Sequence, residues 1–461
     1  MKHRHRLGLL VIATLCLLVS IQTVCAAQTG AVKVQPVLPT IPQRKFLLTD
    51  FGAVGDGKTL NTAAFRKAIA ACRKAGGGEV VVPVGTFVTG PFALTDNMAL
   101  VLGKGATVRG TETFADYDST NEKNLELVRP KSKPSVLPLI GGTDVSNVAI
   151  RGEGTIDGGG AVWWERFRAE RAAGAPQEGQ QRAEDQPVAH TRPKLVWLVR
   201  CNKVLIQGVT LKDSPQFHLV PSGCHEVTIE DVQISAPADS PNTDGIDPTG
   251  SRNVLIRRCT IDVGDDNVSF KSNPKEEPLE NVLVTDCTFR HGHGASVGSN
   301  IGGGIRNVTV EHCTFENTDN GIRIKSTRDR GGVVENITYR DIKMKNVGMA
   351  ITINLFYFDK PGQKERLAKP VTSLTPVVRG LLISDVTVEG AKTAGEIIGL
   401  PEMPVNGVLL ENVRITAKTG MTIQDANAVE LRGVQITPQK GEPVVVSHAE
   451  VKTTPARAAG R

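Results

Sequence analysis

Carboxylic acids and a histidine recur in three short segments, each about one repeat after the last. Asp244 lies in SPNTDGID, Asp265 and Asp266 lie in VGDDNVSF, and His293 lies in HGHGAS. Three crowded carboxyl groups cannot all ionise cheaply, so one of them is expected to stay protonated near the working pH. The protonated group could donate a proton while the other two orient and deprotonate a water. Hydrolysis of a glycosidic bond requires this combination, although Asp and Gly are also common turn residues.

Two cations follow one repeat further on, in the segment GIRIKS. If this segment is a strand, Ile322 and Ile324 point inward, and Arg323 and Lys325 point outward on one face. Two outward cations on one strand suit an anionic ligand, with a solvated sheet edge as the alternative. Lys271 is a third candidate cation for the same ligand.

The strand that carries two of the aspartates presents a conflict. Strict alternation places Val268 and Phe270 inside and Asn267 outside, and it would turn Asp266 inward. Because a lone buried carboxylate is costly, we expect a turn or bulge at Asp265 that brings both carboxyl groups to the surface.

The elements that must position these groups form a long repeat. A phrase of alternating apolar residues returns at intervals of about 21 to 29 residues, a period typical of repeat architectures. The copies are NKVLIQGVTL, HEVTIEDVQI, RNVLIRRCTI, ENVLVTDCTF, RNVTVEHCTF, ENITYRDIKM, RGLLISDVTV, NGVLLENVRI and NAVELRGVQI. No helix-length pattern intervenes, which excludes Rossmann and barrel folds. We therefore predict an all-β fold, a parallel β-helix of roughly ten rungs stacked about 4.8 Å apart.

Cysteines occupy equivalent places in three successive copies. Cys259, Cys287 and Cys313 are expected to stack in the interior as free thiols, rather than to form disulfides with one another. A bridge between Cys201 and Cys224 remains open at this stage.

The composition is that of a folded chain without a nucleic-acid partner. The 461 residues are 40% hydrophobic but only 4% aromatic, and they include 47 glycines. The apolar fraction excludes disorder as the dominant state. The net charge of +6 is far short of the basic stripe found on nucleic-acid-binding domains.

The two ends of the chain differ from the repeat. A basic leader, an apolar run and the small-residue site VCA predict a secretory signal peptide over residues 1–26, with a membrane anchor as the weaker alternative. We expect no membrane contact after its removal. A linker over 27–45, a single β-helix domain over 46–438 and a C-terminal tail over 439–461 complete the predicted organisation.

Two stretches break the period, and we expect both to be loops that leave the stack. These inserts cover residues 158–194, which are rich in Gln, Glu and Ala, and residues 355–379. One helix is predicted, from Asn61 to Gly76, where apolar residues recur at helical spacing before a run of glycines. This helix would cover the open N-terminal end of the β-helix core.

These motifs together resemble glycoside hydrolase family 28, the pectin-degrading polygalacturonases. The resemblance rests on FGAVGDGKTLNTAAFRKAI, GGGEVVVPVGTFVTGPFAL, NTDGID, GDDNV, GHGASVGS and RIKS, and it spans roughly residues 51–436. The segments GGVV and MKNV are similar to those of bacterial secreted endopolygalacturonases. The resemblance implies a right-handed parallel β-helix with an open groove that hydrolyses α-1,4-galacturonosyl linkages.

The resemblance also implies roles at the matching positions. Asp265 resembles the general acid, and Asp244 and Asp266 resemble the carboxylates that activate water. His293 resembles the histidine that tunes this cluster. Two water-binding carboxylates imply inversion of configuration, whereas stacking by one rung, about 4.8 Å, is near the short carboxylate separation associated with retention.

The remaining matches concern the substrate. Arg323 and Lys325 resemble the pair that holds the substrate carboxylate, with Lys271 as a further cation beside them. Tyr357, in ITINLFY, resembles a groove tyrosine on the leaving-group side. Asn267 stands where many family members have Cys, so any role of that sulfur is absent here.

We expect no metal, no cofactor, a monomer, and a secreted protein that is extracellular or periplasmic. The expected partner is polygalacturonate or pectin. An exo-polygalacturonase or a rhamnogalacturonan hydrolase is the alternative within the family. A calcium-dependent pectate lyase and a non-catalytic β-helix polysaccharide-binding protein are the alternatives from other classes.

Overall fold

The structure is a computed structural model that describes residues 33–127, 136–174, 190–358 and 366–455. The predicted signal peptide, residues 1–26, lies outside these ranges. The described residues form 29 strands and two α-helices. No helix in this part of the chain is both long and apolar enough to cross a bilayer.

The helices and strands follow in chain order. The first part contains β1 (Lys45–Leu47), β2 (Asp56–Leu60), α1 (Thr62–Lys74), β3 (Gly78–Val82), β4 (Gly85–Thr89), β5 (Phe92–Ala93), β6 (Met98–Leu102), β7 (Ala106–Gly110), β8 (Ile140–Thr143), β9 (Ser146–Gly152), β10 (Thr155–Asp157) and α2 (Ala161–Ala172). The central part contains β11 (Val196–Val199), β12 (Asn202–Gln207), β13 (Thr210–Lys212), β14 (Leu219–Ser222), β15 (His225–Glu230), β16 (Gln233–Ser235), β17 (Arg252–Arg257), β18 (Thr260–Asp262), β19 (Val268–Phe270), β20 (Leu279–Thr285), β21 (Thr288–Arg290) and β22 (Ala295–Gly298). The last part contains β23 (Ile305–Glu316), β24 (Asn320–Lys325), β25 (Val333–Lys345), β26 (Met349–Asn354), β27 (Val377–Ile398), β28 (Val405–Arg432) and β29 (Gln435–Thr454).

The pairing of these strands defines a right-handed parallel β-helix, as the repeat and the resemblance predict. In the central part, β12 pairs in parallel with β9 and β15, β13 pairs with β10 and β16, and β11 pairs with β8 and β14. Each turn of the chain therefore adds one strand to each of three ladders. The right hand is the one that parallel crossovers adopt almost without exception.

Apolar side chains fill the inside of the β-helix in continuous columns. Cys259, Cys287 and Cys313 are buried free thiols, which confirms that they stack in the interior. The possible bridge between Cys201 and Cys224 is not formed, because both are also free thiols. The Cys201 amide instead donates a hydrogen bond to the Cys224 sulfur at 3.4 Å.

An asparagine column explains why so many repeat copies begin with RN or EN. Asn253, Asn281, Asn307 and Asn336 all have φ between 54° and 57°, the left-handed conformation that Asn tolerates better than most residues. The last three side-chain amides each donate to the previous asparagine at 3.2 to 3.3 Å, and the first, that of Asn253, donates to Glu226 at 2.6 Å. The column therefore satisfies its own polar groups while it turns the chain between two strands.

Helix α1 covers the N-terminal end of the stack, as predicted. Its buried face includes Phe65 and Ile69. The ring of Phe65 stacks on Phe92 of β5 with 4.6 Å between centroids. The helix ends at Lys74, after which Gly76 adopts a φ of 81°.

The first insert is not wholly a loop, because residues Ala161–Ala172 form α2. Alanine, glutamate and arginine are strong helix formers, so this polar segment has the propensity for a helix despite its weak apolar pattern. Two tryptophans, Trp163 and Trp164, are buried and attach the helix to the β-helix. The Trp164 indole donates to the Ser214 carbonyl at 3.2 Å. Residues 175–189 of this insert lie outside the description.

The β-helix continues beyond the predicted boundary at residue 438. Strand β29 pairs in parallel with β28 as far as Thr454, so most of the predicted tail over 439–461 is a strand. Most side chains of β29 are exposed, and for this reason its sequence lacks the apolar columns of the earlier copies. The second insert also ends earlier than predicted, because β27 begins at Val377.

We expect the interior phenylalanine ladder to carry a large share of local stability. Phe315 is fully buried and packs against Phe289 with 4.9 Å between ring centroids. The substitution Phe315→Ala should lower the free energy of unfolding by about 3 to 5 kcal/mol, because it removes buried apolar surface and leaves a cavity.

Equilibrium urea unfolding measures this change, with Lys343→Ala on an exposed position of β25 as the control. A loss below about 1 kcal/mol at Phe315 would contradict the close packing of this ladder.

Candidate active site

The ladder that contains β14, β19, β22 and β24 brings the predicted site residues together. One inner column of this ladder is formed by buried residues paired in register, Ile246, Val268, Ala295 and Ile322. Asp244, Asp266 and His293 each stand two residues before a member of that column. They therefore occupy equivalent positions on successive rungs, about 4.8 Å apart.

The three predicted aspartates form one cluster. One carboxylate oxygen from each of Asp244, Asp265 and Asp266 lies within 4.8 Å of the other two. Asp244 and Asp266 are buried, whereas Asp265 is partly exposed. The expectation that a turn brings both Asp265 and Asp266 to the surface is thus wrong for Asp266. The burial of this carboxylate is tolerated because polar partners surround it.

Asp266 accepts hydrogen bonds on both of its oxygens. Oδ1 accepts from the Ser296 hydroxyl at 2.7 Å and from Arg323 at 3.3 Å. Oδ2 accepts from the Ser269 hydroxyl at 2.9 Å and from Lys325 Nζ at 2.7 Å. Burial acts to raise the pKa of Asp266, but Lys325 and Arg323 outweigh it and hold the pKa well below its usual value. Asp266 is therefore ionised at neutral pH.

Asp244 lies in the opposite electrostatic environment. Burial raises the pKa of Asp244 well above its usual value, and the nearby carboxylate of Asp247 acts in the same direction. Lys271 Nζ donates to Asp244 Oδ2 at 2.9 Å and to Asp247 Oδ2 at 2.6 Å. These two carboxylates hold the pKa of Lys271 well above its usual value despite its burial. The single ammonium group of Lys271 thus neutralises only one of two carboxylates. These three groups together favour the binding of one further proton.

Asp265 is the most accessible of the three aspartates. Its Oδ1 accepts the backbone N–H of Asp266 at 2.8 Å, and its Oδ2 accepts the side-chain amide of Asn242 at 3.4 Å. His293 Nε2 lies 3.9 Å from Asp265 Oδ1. The other ring nitrogen of His293 lies 3.4 Å from a carboxylate oxygen of Asp319. His293 is thus placed between two carboxylates, on the solvent side of the cluster.

The predicted cations lie on the same outer face. Ile322 and Ile324 are buried inside, and Arg323 and Lys325 point to the aspartates, as alternation predicts. The Tyr357 ring lies beside both cations, 5.2 Å from the Arg323 guanidinium carbon and 5.1 Å from Lys325 Nζ. All eight residues predicted for the site therefore belong to one connected group, with Lys271 engaged by Asp244 and Asp247.

The comparisons with known proteins agree with this geometry. The family model of the glycosyl hydrolases family 28 matches residues 72–433. The chain belongs to this family. It is therefore a glycoside hydrolase, and the resemblance drawn from the motifs is confirmed.

Family 28 relatives of two modes of action match the chain. A probable polygalacturonase of Vitis vinifera is 31% identical over 409 residues, which cover 85% of this chain and 79% of that protein. An endo-polygalacturonase of Pectobacterium parmentieri is 30% identical over 380 residues, covering 79% and 87%. The solved exopolygalacturonase of Thermotoga maritima has 30% identity and a TM-score of 0.69, covering 89% and 93%.

No site role was predicted from the sequence for several side chains that surround the site of this family 28 hydrolase. They are Arg192, His218, Asn242, Asp247, Ser269 and Ser296. Ser269 and Ser296 lie at paired positions one rung apart, in the same outward column as Arg323. The outward direction predicted for Arg323 was therefore a signal for both serines. Arg192 and His218 form hydrogen bonds with backbone groups and neighbouring amides. The spacing of residues in the sequence does not reveal such contacts.

Asn267 also differs from its predicted exterior position, because it is fully buried. Its amide group donates to the carbonyls of Ile261 and Arg290 at 2.9 and 3.2 Å. Its Oδ1 accepts the Gly294 N–H at 2.8 Å. Three backbone partners compensate for the burial of the amide and fix the turn that holds His293.

Asp244 should reduce the stability of the protein at neutral pH. Because its pKa is raised in the folded state, stability falls as pH rises from the unfolded pKa, about 3.9, through the folded pKa. Asn at this position has no charge to bury. The substitution Asp244→Asn should therefore raise the free energy of unfolding at pH 7 by about 1 kcal/mol or more, and it should have no such effect at about pH 3.

Urea unfolding at both pH values measures the effect. The exposed Asp50→Asn substitution is the control and should change stability little at either pH. Equal stability of the Asp244→Asn variant and the parent protein at pH 7 would show that the carboxylate is not disfavoured by its surroundings.

Proposed function

We propose that this family 28 hydrolase cleaves α-1,4-galacturonosyl linkages of polygalacturonate with inversion of configuration. The observation that carries the proposal is the juxtaposition of three aspartates with Arg323 and Lys325 on one outer face. The aspartates are suited to glycosidic hydrolysis, and the two cations are suited to a sugar that bears a carboxylate. Relatives named as endo-polygalacturonase and exopolygalacturonase support the same substrate class.

Asp265 acts as the general acid in this proposal. It is the aspartate of the cluster with solvent access, so it can reach the oxygen of the departing sugar. His293 Nε2 lies 3.9 Å from Asp265 Oδ1, and its other ring nitrogen lies 3.4 Å from a carboxylate oxygen of Asp319, so the ring is placed directly beside the acid. We assign His293 to tuning of the acid.

Asp266 and Asp244 hold the attacking water. Asp266 is held ionised by Lys325 and Arg323, so it is the group able to accept a proton from the water. Oxygens within 4.8 Å of each other can both reach one water, so Asp244 can orient the same molecule. Asp266 is an unsuitable covalent nucleophile, because it is buried and its oxygens already accept four hydrogen bonds. This supports direct displacement by water.

The substrate carboxylate binds to Arg323 and Lys325, with Tyr357 packed beside them. Both cations contact Asp266 in the ligand-free arrangement, and each has further donors for a second anion. Lys271 supplies positive charge on the other side of the cluster. Its main partners are Asp244 and Asp247, so we assign it first to these carboxylates and second to the substrate.

The rival functions are disfavoured by the charges around the aspartates. A calcium-dependent lyase needs six to eight oxygen ligands for its ion, whereas Lys271, Arg323 and Lys325 already compensate these carboxylates. A non-catalytic polysaccharide-binding protein has no need of a buried cluster of carboxyl groups whose pKa values are shifted in opposite directions. We further propose that the protein is secreted, because of the leader sequence over residues 1–26, and that it acts as a monomer. Chromatography of products over time separates endo from exo action.

The first test of the proposal is removal of the acid. The substitution Asp265→Asn should lower the rate of reducing-end release from polygalacturonate by about 10²- to 10⁴-fold, because the departing oxygen loses its proton donor. The partly exposed position of Asp265 predicts little effect on folding.

The matched control is Asp262→Asn, three residues earlier, where a partly exposed carboxylate lies 2.7 Å from His291 Nδ1 and outside the aspartate cluster. This variant should retain close to parent activity. A loss of less than about tenfold for Asp265→Asn would refute the role of Asp265 as the acid.

The second test is stereochemical. Direct displacement of an α-linked galacturonan by water should release β-anomers first, before mutarotation equilibrates the products. Proton NMR of the first-formed reducing ends measures the anomer directly. An initial α-anomer would overturn the inverting mechanism and leave the fold and the substrate class intact.

A further inference from the structure

An aromatic–lysine cluster lies beside the aspartates and has no part in the reaction described above. It consists of Lys194, Trp197 and Phe217. Lys194 Nζ lies 4.6 Å from the centroid of the Trp197 ring and 5.5 Å from that of Phe217. Phe217 in turn lies 4.3 Å from Lys271 Nζ, which contacts Asp244. The cluster is therefore continuous with the active site.

The strand register places this cluster on the opposite side of the aspartates from Arg323. Trp197 of β11 pairs with Val220 of β14, and the isolated bridges on either side of Val220 set it opposite Asp247 on the next rung. The same outward column continues through Ser269 and Ser296 to Arg323. Trp197 thus lies two rungs before Asp247, about 10 Å away along the stack.

The indole of Trp197 is held so that it can serve as a binding surface. Trp197 is partly exposed, and its Nε1 donates to the Ser222 hydroxyl at 3.1 Å, which fixes the orientation of the ring. The residue paired with Trp197 on the preceding rung is Gly141, which has no side chain to lie over the indole. Aromatic rings with a fixed orientation and one exposed part are typical of ligand sites.

We propose that the aromatic–lysine cluster is a distal subsite for a uronate unit of the polysaccharide. The indole of Trp197 packs against the apolar C–H groups of the sugar ring, and Lys194 pairs with the carboxylate of the same unit. This inference rests on the proposed function. It adds that the chain binds an anionic sugar on the far side of the aspartates, roughly two rungs from the point of cleavage.

The charges around the subsite determine which chemical class of sugar it can bind. The flat aromatic surface alone would accept a neutral sugar, but Lys194 and Lys271 border it on two sides. An ammonium group beside the ring offers a carboxylate a charge-assisted hydrogen bond, which is stronger than its hydrogen bond to a hydroxyl of an unsubstituted hexose. A polymer with one carboxylate per sugar therefore meets a cation both here and at Arg323.

The test compares substrates of increasing length. Oligogalacturonides from the trimer to the heptamer are hydrolysed by the parent protein and by the Lys194→Gln and Trp197→Ala variants. Both variants should lose roughly tenfold in kcat/KM on the longest oligomers, because one charge-assisted contact or one stacking surface is removed. On the shortest cleaved oligomer, which cannot reach the cluster, they should match the parent protein.

Lys343→Gln, on an exposed position of β25, is the matched control and should show no dependence on length. If Trp197→Ala fails to fold, as judged by its thermal melting curve, Trp197→Phe replaces it and should show a smaller loss in the same direction. Loss of activity that is equal at all lengths, or absent at all lengths, would overturn the subsite. Failure of the parent protein to release reducing ends from polygalacturonate would instead contradict the proposed function, and this inference with it.

Discussion

The structure depends on the in-register stacking of parallel rungs, about 4.8 Å apart. Because each rung repeats the same inward and outward positions, residues of one type form columns along the stack. Apolar columns make a continuous core, and an asparagine column satisfies its own amides at a turn. The same rule brings Asp244 and Asp266 onto neighbouring rungs, where their charges repel. The cluster is tolerable because Lys325 and Arg323, from two rungs further along, contact Asp266.

The features that the sequence predicted well are those that repeat. The phrase of alternating apolar residues was sufficient for the fold, the stack of free cysteines and the outward direction of Arg323 and Lys325. The features that it missed arise from contacts without a period. The burial of Asp266 was mispredicted because its two cationic partners are more than 50 residues away in sequence. The helix α2 and the strand β29 were missed because neither buries a regular apolar face.

The site assigns different tasks to chemically identical side chains by changing their surroundings. Burial raises the pKa of Asp244 and acts in the same direction on Asp266, so burial alone cannot separate them. The distribution of cations separates them, since Asp266 has two cations and Asp244 shares one with Asp247. The surroundings therefore shift the pKa values of the two buried aspartates in opposite directions, down for Asp266 and up for Asp244. Hydrolysis of a glycosidic bond relies on carboxyl groups whose environments differ in this way.

The same distribution of charge bears on how a polyanion enters the site. The carboxyl groups are Asp244, Asp247, Asp265 and Asp266, and the cations are Lys271, Arg323 and Lys325. If every carboxyl group were ionised, the site would carry an excess negative charge and would repel a uronate. The raised pKa of Asp244 favours a proton there, and such a proton reduces that excess. Under the proposed function, a substrate carboxylate at Arg323 and Lys325 then adds negative charge next to the cluster. Arg323 and Lys325 also hold Asp266 ionised. The two cations that keep the buried base charged are thus the same groups that are proposed to select an anionic sugar.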